Sequence, residues 1–392
     1  MTVKSALEPA EAAVSQPPPD EPALAARFHK QFSQDHEFVL DVDFHAPPGF
    51  TILFGASGAG KTTLLDCLAG LIHPNRGRIT IGERVFFDDV QRINLTVAQR
   101  RIGYVFQTLA LFPHLTVEQN VQYGLAHLTK GERLARSSAI LQAFHIAHLA
   151  RRSAREISGG ESQRTALART LVTDPSLLLL DEPLAALDAA TKSKIIDDLR
   201  EWNRTHRIPI LYITHSRDEV FALGERVLVL DAGRILAQGT PHDVLSAPLM
   251  ETVAQLAGFE NISDAVVEAV RPERGTMTCR LGSSDGPPLL LETPLVRGGV
   301  GSKMRVGIRA GDILLATSPP TGLSARNIIP GRISSIEQHD VIVSARIACR
   351  PIQSGIEMEV HLTLAARDAL ELGPGKEVWL VIKTHSCHLM QR

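Results

Sequence analysis

The stretch Gly55-Ala56-Ser57-Gly58-Ala59-Gly60-Lys61-Thr62 decides the fold prediction for this chain. It follows the pattern G-x-x-x-x-G-K-[ST] between an apolar run at 50–54, which predicts a strand, and apolar residues at helical spacing over 64–72. In that context the glycines let backbone N–H groups surround phosphate oxygens, and the helix N-terminus adds the positive end of its dipole. The stretch therefore predicts a phosphate-binding loop, in which Lys61 reaches the β- and γ-phosphates and Thr62 offers a hydroxyl to Mg²⁺.

A second polar feature follows the apolar run 177–180, which predicts a buried strand. Asp181 and Glu182 stand at the carboxyl end of this strand, where sheets of α/β proteins bind ligands. Asp181 would hold Mg²⁺, and Glu182 would orient and deprotonate the attacking water, because phosphoryl transfer depends on positioning and charge stabilisation. Taken alone, the pair could equally be a strand followed by a helix cap. The phosphate-binding loop upstream favours the catalytic interpretation.

A third feature is Ser158-Gly159-Gly160, which opens a predicted helix about 20 residues before the acidic pair. A serine and two glycines at a helix N-terminus form a second cradle for an anion. One chain thus carries two phosphate-binding devices about 100 residues apart. Together with the loop and the acidic pair, this arrangement resembles the ATPase subunit of an ABC transporter.

The resemblance implies a homodimer that binds ATP and Mg²⁺, because in that family the Ser-Gly-Gly signature of one subunit caps the ATP held by the other. Gln107 resembles the glutamine that touches Mg²⁺ and water, Asp188 the D-loop aspartate, and His215 the switch histidine at the γ-phosphate. The implied catalytic residues are Lys61, Gln107, Glu182 and His215, and the implied Mg²⁺ ligands are Thr62, Gln107 and Asp181. The implied nucleotide contacts are Gly55, Ala56, Ser57, Gly58, Ala59, Gly60, Lys61, Thr62, Thr63, Ser158, Gly159, Gly160 and Asp188.

One residue departs from the family signature, and two further assignments have an alternative. Glu161 stands where the commonest family signature has Gln, a change that importer subfamilies tolerate. Either Phe28 or Phe32 is a candidate to stack on adenine, and either could instead belong to the core. The segment 111–117 would face the permease, although Pro113 also suits an ordinary loop that starts a helix.

The rest of the pattern separates two kinds of structure. Residues 1–22 have the composition of a disordered tail, and strands alternate with helices through the following 23–258. After Gly258, β-type segments and turn residues dominate, as in 304–308 and 378–382. The predicted fold is an α/β P-loop NTPase domain at 23–258, a β-rich connecting segment at 259–320, and a small all-β, OB-like barrel at 321–392.

The C-terminal part carries a second resemblance. Ser324-Ala325-Arg326-Asn327, with Gly331 four residues later, resembles the opening of the molybdate-binding Mop domain, or TOBE-type domain, and 382–386 resembles its closing strand. Hydroxyls, backbone N–H groups and a cation suit a tetrahedral oxyanion. The candidate oxyanion contacts are Ser324, Arg326, Lys383 and Ser386. Alternatively, Arg326 holds the barrel together and the motif is a strand-start turn in which Asn327 bonds the backbone.

Composition excludes several classes of protein. The 392 residues carry 41 Lys+Arg against 43 Asp+Glu, a balance that does not favour a nucleic-acid-binding protein. Apolar runs are far shorter than the ~20 residues that span a bilayer, and the four cysteines are too scattered for a disulfide framework or a zinc site. We therefore expect a peripheral protein at the cytoplasmic face of the inner membrane. It would act through a membrane permease and, beyond that, a periplasmic or extracellular binding protein.

These features favour an ATP-hydrolysing subunit that powers molybdate uptake through a separate permease. The same machine could instead carry sulfate, tungstate, iron or another solute. A non-transport ABC protein is a more distant alternative, because such proteins usually have two ATPase cores or long coiled coils, and this chain has one core and no heptads. A molybdate store or regulator would need no phosphate-binding loop.

Overall fold

The computed structural model describes residues 23–32, 38–246, 248–282 and 287–391, so the predicted tail at 1–22 lies outside the described residues. The chain divides into two compact units, an N-terminal unit up to Thr240 and a C-terminal unit from Pro241 onwards. The sequence predicts this boundary after residue 258, where helical periodicity fades, whereas 241–258 belongs to the C-terminal unit of the structure. In the structure that segment is bound to the β-rich unit, since Arg309 donates to the Leu245 carbonyl (2.7 Å) and Arg305 pairs with Glu251.

The N-terminal unit is built on a mixed sheet. Across the part of this unit that the structure describes, the strand order is β6-β5-β4-β1-β2-β11-β10-β3-β9-β8-β7. The strands are β1 (Leu24–Gln31), β2 (Val39–Ala46), β3 (Gly49–Phe54), β4 (Arg76–Ile81), β5 (Arg84–Asp88), β6 (Ile93–Asn94), β7 (Ile102–Val105), β8 (Leu177–Asp181), β9 (Pro209–Ile213), β10 (Arg226–Asp231) and β11 (Arg234–Gly239). The helices are α1 (Lys61–Ala69), α2 (Val97–Arg100), α3 (Val117–Gln122), α4 (Lys130–Ala143), α5 (Gly159–Leu171), α6 (Ala189–His206) and α7 (Arg217–Leu223).

The parallel strands β3, β9, β8 and β7 form the part of the sheet that positions the site. Every side chain of β3, β8 and β9 is buried, the pattern of a sheet covered on both faces. The register pairs Leu53 with Ile213 and Asp181 with Ile213, so the three strands end at one level. The segments that follow them therefore meet at the carboxyl edge of the sheet, where α/β proteins bind ligands.

Arg100 anchors the far end of α1, the helix that starts at the phosphate-binding loop. The side chain is 0% exposed, and its guanidinium donates to the carbonyls of Cys67 (2.9 Å) and Leu68 (2.6 Å). These are terminal carbonyls of the helix, which lack partners within it, and a cation there also suits the helix dipole. Burial removes water from the Arg100 guanidinium and thereby lowers its pKa. The surrounding carbonyls stabilise the charge in place of that water.

The C-terminal unit consists of two antiparallel sheets. Within its described residues the strand orders are β14-β13-β12-β15-β21 and β16-β20-β17-β18-β19. The strands are β12 (Asn261–Arg271), β13 (Thr276–Leu281), β14 (Leu289–Pro294), β15 (Lys303–Ile308), β16 (Leu314–Ala316), β17 (Asn327–His339), β18 (Ile342–Cys349), β19 (Glu357–Thr363), β20 (Glu377–Ile382) and β21 (His388–Gln391), with helices α8 (Glu251–Leu256) and α9 (Leu364–Ala369). This architecture is consistent with the predicted OB-like all-β fold.

The connecting segment 259–320 and the barrel 321–392, which the sequence separated, share one core. Ile308 and Ile313 from the first part pack in the same buried cluster as Ile329 and Leu380 from the second. In addition, β21 at the end of the chain pairs with β15. Across the described residues, no helix is both long and apolar enough to cross a membrane.

Candidate functional site

The phosphate-binding loop follows β3, as predicted, and α1 begins at Lys61. Gly60 caps this helix with a φ of 100°, a left-handed conformation that favours glycine, and an added Cβ would lie 2.5 Å from Cζ of Phe38. The Nζ of Lys61 donates to the carbonyls of Gly55 (2.9 Å) and Ala56 (2.8 Å), which holds the side chain across its own loop. Burial lowers the pKa of Lys61 against the opposing effect of Glu182 and Asp181.

Thr62 and Asp181 meet beneath the loop although 119 positions separate them. The Oγ1 of Thr62 donates to Oδ2 of Asp181 at 2.9 Å. Burial raises the pKa of Asp181, while the hydrogen bond from Thr62 acts in the opposite direction. A hydroxyl and a carboxylate side by side are the hard oxygen donors that Mg²⁺ prefers, so the residues present fit this ion.

Glu182 is the meeting point of the remaining predicted groups. Its Oε1 lies 2.5 Å from Nε2 of His215, and its Oε2 accepts from Nε2 of Gln107 at 3.3 Å. Its backbone has a φ of 46°, which is unusual for a residue with a side chain and costs about 1–3 kcal/mol. The fold therefore holds Glu182 in a strained backbone conformation, with its carboxylate between β8 and the loop that carries Gln107.

These residues line one cleft of about 520 Å³. The lining side chains and backbone belong to Phe38, Ser57, Gly58, Gly60, Lys61, Thr62, Thr63, Gln107, Asp181, Glu182 and His215. Five separate segments of the sequence thus converge on one concave site. The arrangement provides a cation, a candidate Mg²⁺ site, a carboxylate and a histidine around one cleft.

Ser158, Gly159, Gly160 and Asp188 do not belong to the lining of this cleft. Ser158 caps α5 and Asp188 caps α6, where its Oδ1 accepts from the Thr191 N–H at 3.0 Å. The two helix starts are neighbours, because a Cβ on Gly160 would lie 2.7 Å from Cγ2 of Thr191. The structure thus groups the signature with the D-loop, apart from the loop that holds Lys61.

Glu161 completes a capping box at the start of α5. Its Oε2 accepts from the backbone N–H of Ser158 (2.7 Å) and from Oγ of Ser158 (2.9 Å), while its own N–H donates back to that Oγ. The backbone bond from Ser158 is the main reason why the pKa of Glu161 is lowered. Glu161 therefore performs a local structural task that the amide of Gln could also perform.

Phe38 is the phenylalanine that lines the cleft, a role that the sequence did not predict. Phe28 is 2% exposed within the core cluster of the N-terminal unit, which is the second of the two roles considered for it. The ring of Phe32 lies 6.3 Å from that of Phe38, and adenine stacking by Phe32 stays a prediction. A single phenylalanine before a strand gave no local signal of its place beside the loop.

Arg169 is a second residue that the sequence analysis missed. It donates from α5 to the carbonyls of Leu109 (2.8 Å) and Ala110 (2.7 Å), two residues just past Gln107 whose φ values are 55° and 47°. Burial lowers the pKa of Arg169. The signature helix thus holds the loop between Gln107 and the predicted permease-facing segment. Helix α3 begins at Val117, the last residue of that segment, and not at Pro113.

The four candidate oxyanion residues differ in exposure and in the contacts that they make. Ser324 and Lys383 are exposed, Ser386 is buried in a short 3-10 turn at 384–386, and the predicted closing strand ends at Ile382. Arg326 lies 3.8 Å from the Glu292 carboxylate. The strand pair Asn327–Ile382 places Arg326 and Lys383 just beyond one end of the same ladder.

Asn327 has a clear structural role. Its amide accepts from the Glu292 N–H (2.7 Å) and donates to the Glu292 carbonyl (2.9 Å), which joins β17 of one sheet to β14 at the edge of the other. The residue is 4% exposed. This bond matches the interpretation of the motif in which Asn327 bonds the backbone.

Comparison with known proteins agrees with this division. The family model described as ABC transporter matches residues 39–185, and the TOBE domain model matches 323–389. The molybdenum import ATP-binding protein ModC of Paramagnetospirillum magneticum is 36% identical over 88% of this chain and 93% of its own length. The corresponding values are 36%, 88% and 95% for ModC of Rhizobium meliloti, and 35%, 92% and 97% for ModC 1 of Azotobacter vinelandii.

A solved bacterial ABC transporter cassette, described as dimeric, has 26% identity and a TM-score of 0.48, covering 56% of this chain and 98% of its own. The curated relatives match nearly full length at more than one third identity, so the match extends over both the ABC transporter region and the TOBE region of this chain. The chain belongs to the ABC transporter ATP-binding proteins, in the family of the molybdenum import ATP-binding proteins.

Proposed function

We propose that this chain hydrolyses ATP to power molybdate uptake through a separate membrane permease. The observation that carries the proposal is the single cleft in which Lys61, the Thr62–Asp181 pair and Glu182 with its two partners come together. The curated relatives, which are named molybdenum import proteins, support the cargo. Sulfate, tungstate or iron would use the same ATPase machinery and differ only in the cargo-specific parts.

Each residue of the cleft has a role that fits its contacts. The loop N–H groups and Lys61 would bind the β- and γ-phosphates, and Thr62, Asp181 and Gln107 would hold Mg²⁺, which supplies charge neutralisation when bound. Glu182 would accept a proton from the attacking water, and His215 would contact the γ-phosphate. Because His215 and Gln107 already contact Glu182, small movements of either would change the orientation of the carboxylate.

The same proposal requires two copies of the chain. Ser158, Gly159, Gly160 and Asp188 form helix starts that lie outside their own cleft. Backbone N–H groups at such helix starts attract anions. They would therefore complete the ATP site of a second copy, which gives a homodimer with two composite sites.

The permease and a binding protein outside the membrane are the further proposed partners. The segment 111–117 would contact the permease, and the exposed ring of Tyr123 lies tilted beside that of Phe112, with 4.3 Å between the ring centroids, so apolar surface is present there. Such contacts would place the chain at the cytoplasmic face of the inner membrane. In the C-terminal unit, Ser324, Lys383 and Ser386 are the proposed molybdate contacts, and Arg326 is already paired with Glu292.

The test is a comparison of the wild-type chain with Glu182→Gln. The amide keeps the shape of the side chain but cannot accept the proton, so we expect hydrolysis to fall by roughly 10²–10³-fold while ATP still binds. Light scattering with ATP and Mg²⁺ should show a stable dimer of the variant and a transient dimer of the wild type. Wild-type turnover by Glu182→Gln would overturn the assignment.

A further inference from the structure

Glu219 is a buried carboxylate to which the proposed mechanism gives no task. It is 5% exposed in the first turn of α7. Its Oε2 accepts from Oη of Tyr212 (2.9 Å) and from Oγ1 of Thr214 (2.7 Å), and its Oε1 lies 3.1 Å from Nζ of Lys192. Burial and the nearby Glu219 raise the pKa of Tyr212 well above its ordinary value, so the phenol remains a donor. Three donors, one from β9, one from the turn that follows it and one from α6, thus meet at one carboxylate.

Two of its contacts hold both neighbours of His215. The Oγ1 of Thr214 donates to Glu219 and accepts from the N–H of Ser216 at 3.0 Å. The N–H of Glu219 in turn donates to Oγ of Ser216 at 3.4 Å. The backbone on each side of His215 is therefore tied to Glu219, while the imidazole itself is 49% exposed and reaches Glu182.

The ion pair between Glu219 and Lys192 leads to a different part of the proposed dimer site. Lys192 lies in the first turns of α6, the helix that Asp188 caps. The ion pair with Glu219 is largely shielded, since the two side chains are 23% and 6% exposed. One carboxylate thus connects the helix that follows Asp188 with the turn that carries His215.

We propose that Glu219 is a positioning residue, which acts through Thr214 to set the direction of His215 toward Glu182. The proposal rests on the proposed function, because it needs His215 to take part in hydrolysis. The ion pair with Lys192 would transmit a displacement of α6 to the His215 turn when a second copy binds at Asp188.

The hydroxyl of Thr214 is the link to break. Thr214→Val keeps the shape but removes the bonds to Glu219 and Ser216, and we expect kcat for ATP to fall about tenfold with KM unchanged within twofold, since a small misplacement of a catalytic group suffices. Thr214→Ser restores the hydroxyl and should restore kcat. Tyr212→Phe is the matched control, because it removes another bond to the same carboxylate without touching the turn, and its kcat should match the wild type.

A double variant separates positioning from general destabilisation. If Thr214 acts through His215, Thr214→Val should lower kcat in the wild-type background but not in the His215→Ala background, since coupled residues are not additive. Equal losses in both backgrounds, or equal kcat for Thr214→Val and Thr214→Ser, would overturn the proposal. If Thr214→Val does not fold, Thr214→Cys takes its place, because the thiol is a weak donor and should give a kcat below that of Thr214→Ser.

The two proposals fail in different ways. Wild-type kcat for His215→Ala would remove the role assigned to the histidine and with it the proposed function of this site. A large loss in His215→Ala together with full activity in both Thr214→Val and Thr214→Cys would leave that function intact and exclude the positioning role of Glu219.

Discussion

The two units of the molecule carry short motifs of similar length, but the residues of these motifs make different kinds of contact in the structure. In the N-terminal unit, Thr62, Gln107 and His215 come from distant segments and contact the acidic pair in a cleft. In the C-terminal unit, two residues of the Ser-Ala-Arg-Asn motif contact one residue of the neighbouring sheet. Asn327 forms two hydrogen bonds with the backbone of Glu292, and Arg326 pairs with the Glu292 carboxylate. The motifs of the N-terminal unit form a site, whereas a large part of the C-terminal motif joins one sheet to the edge strand of the other.

The difference shows how to weigh a motif. Residues that converge from separate strands on a cavity need a ligand to explain them, whereas residues that bond each other's backbone are explained by the fold. Asn261, which belongs to no recognised motif, makes the same pair of bonds to Glu359, with distances of 2.8 Å and 2.7 Å. An asparagine amide thus fastens the edge strand of each sheet, β14 by Asn327 and β19 by Asn261.

The strongest test of this contrast compares two lysines that make the same kind of contact. Lys61 donates to two carbonyls in the cleft, and Lys376 donates to the carbonyls of Leu370 (2.6 Å) and Glu371 (3.0 Å) in the C-terminal unit. We expect Lys61→Ala to lower the kcat of ATP hydrolysis by roughly 10²–10³-fold, because a cation that stabilises the transferring phosphoryl group is lost. Steady-state phosphate release from the full chain measures the effect.

Lys376→Ala serves as the control and should keep kcat within twofold of the wild type. The contrast between the units would fail if both variants lost activity equally, since both lysines would then act by holding backbone. Circular dichroism of each variant verifies that the fold is retained.

Much of the N-terminal site could be predicted because its signals are local. Glycines with φ > 0, a lysine at the helix start and two acids after an apolar strand each occupy a few consecutive positions. Parallel strands then bring their carboxyl ends to one edge, so the segments that follow β3 and β8 were expected at the same edge once the strands were recognised.

The parts that sequence could not give depend on tertiary contacts. Phe38 becomes a cleft residue only because β2 brings it beside Gly60, and Arg169 matters only because a left-handed turn presents two carbonyls to it. Glu219 looks like an ordinary acidic residue in the first turn of a helix. In the C-terminal unit, the pairing of β21 with β15 joins segments about 80 residues apart, which hid the shared core.

A second prediction tests whether Asn327 is structural. Asn327→Ala leaves the Glu292 N–H and carbonyl without their partner, and we expect a loss of roughly 2–3 kcal/mol in the free energy of unfolding of the C-terminal unit. Chemical unfolding followed by Trp379 fluorescence in a Trp202→Phe background reports on this unit alone, because the two tryptophans lie in different units. ATP hydrolysis should change far less.

Asn261→Ala is the matched comparison and should cost a similar free energy. Equal destabilisation by the two variants supports a fastening role for both amides. A much smaller cost for Asn327→Ala, combined with a loss of molybdate binding, would instead make Asn327 a ligand and bring the second motif closer to the first.

A third prediction concerns the exposed cation of the oxyanion candidates. Lys383→Ala should weaken molybdate binding to the full chain by about tenfold, since a charge-assisted hydrogen bond contributes on the order of 1.5–3 kcal/mol. Isothermal titration with molybdate, tungstate and sulfate measures it, and the full chain is required because 321–392 shares its core with the preceding strands. Lys303→Ala, an exposed lysine of β15 in the same unit, is the control. The absence of heat with all three anions would restrict the C-terminal unit to a structural role.

The smallest expected effect lies in the pH dependence of the C-terminal unit. His388 packs edge-on against Phe259 at 4.8 Å, and the guanidinium of Arg309 lies 4.0 Å over the same ring. Burial, followed by the charge of Arg309, lowers the pKa of His388, with His385 and His242 acting in the same direction and Asp312 against them. The folded unit therefore disfavours the protonated imidazole.

The sign follows from proton binding. An unfolded histidine titrates near 6.5, so below that pH the unfolded chain binds a proton that folded His388 resists, and stability is lost as the pH falls. Between pH 7.5 and 5.5 we expect the Tm of the C-terminal unit to drop by roughly 1–2 °C more in the wild type than in His388→Gln, a small value because partial exposure screens the charge. Trp379 fluorescence in the Trp202→Phe background follows the melt of the C-terminal unit in both proteins. A steeper acid loss in His388→Gln would mean that the folded unit stabilises the imidazole as a cation, which would contradict this prediction.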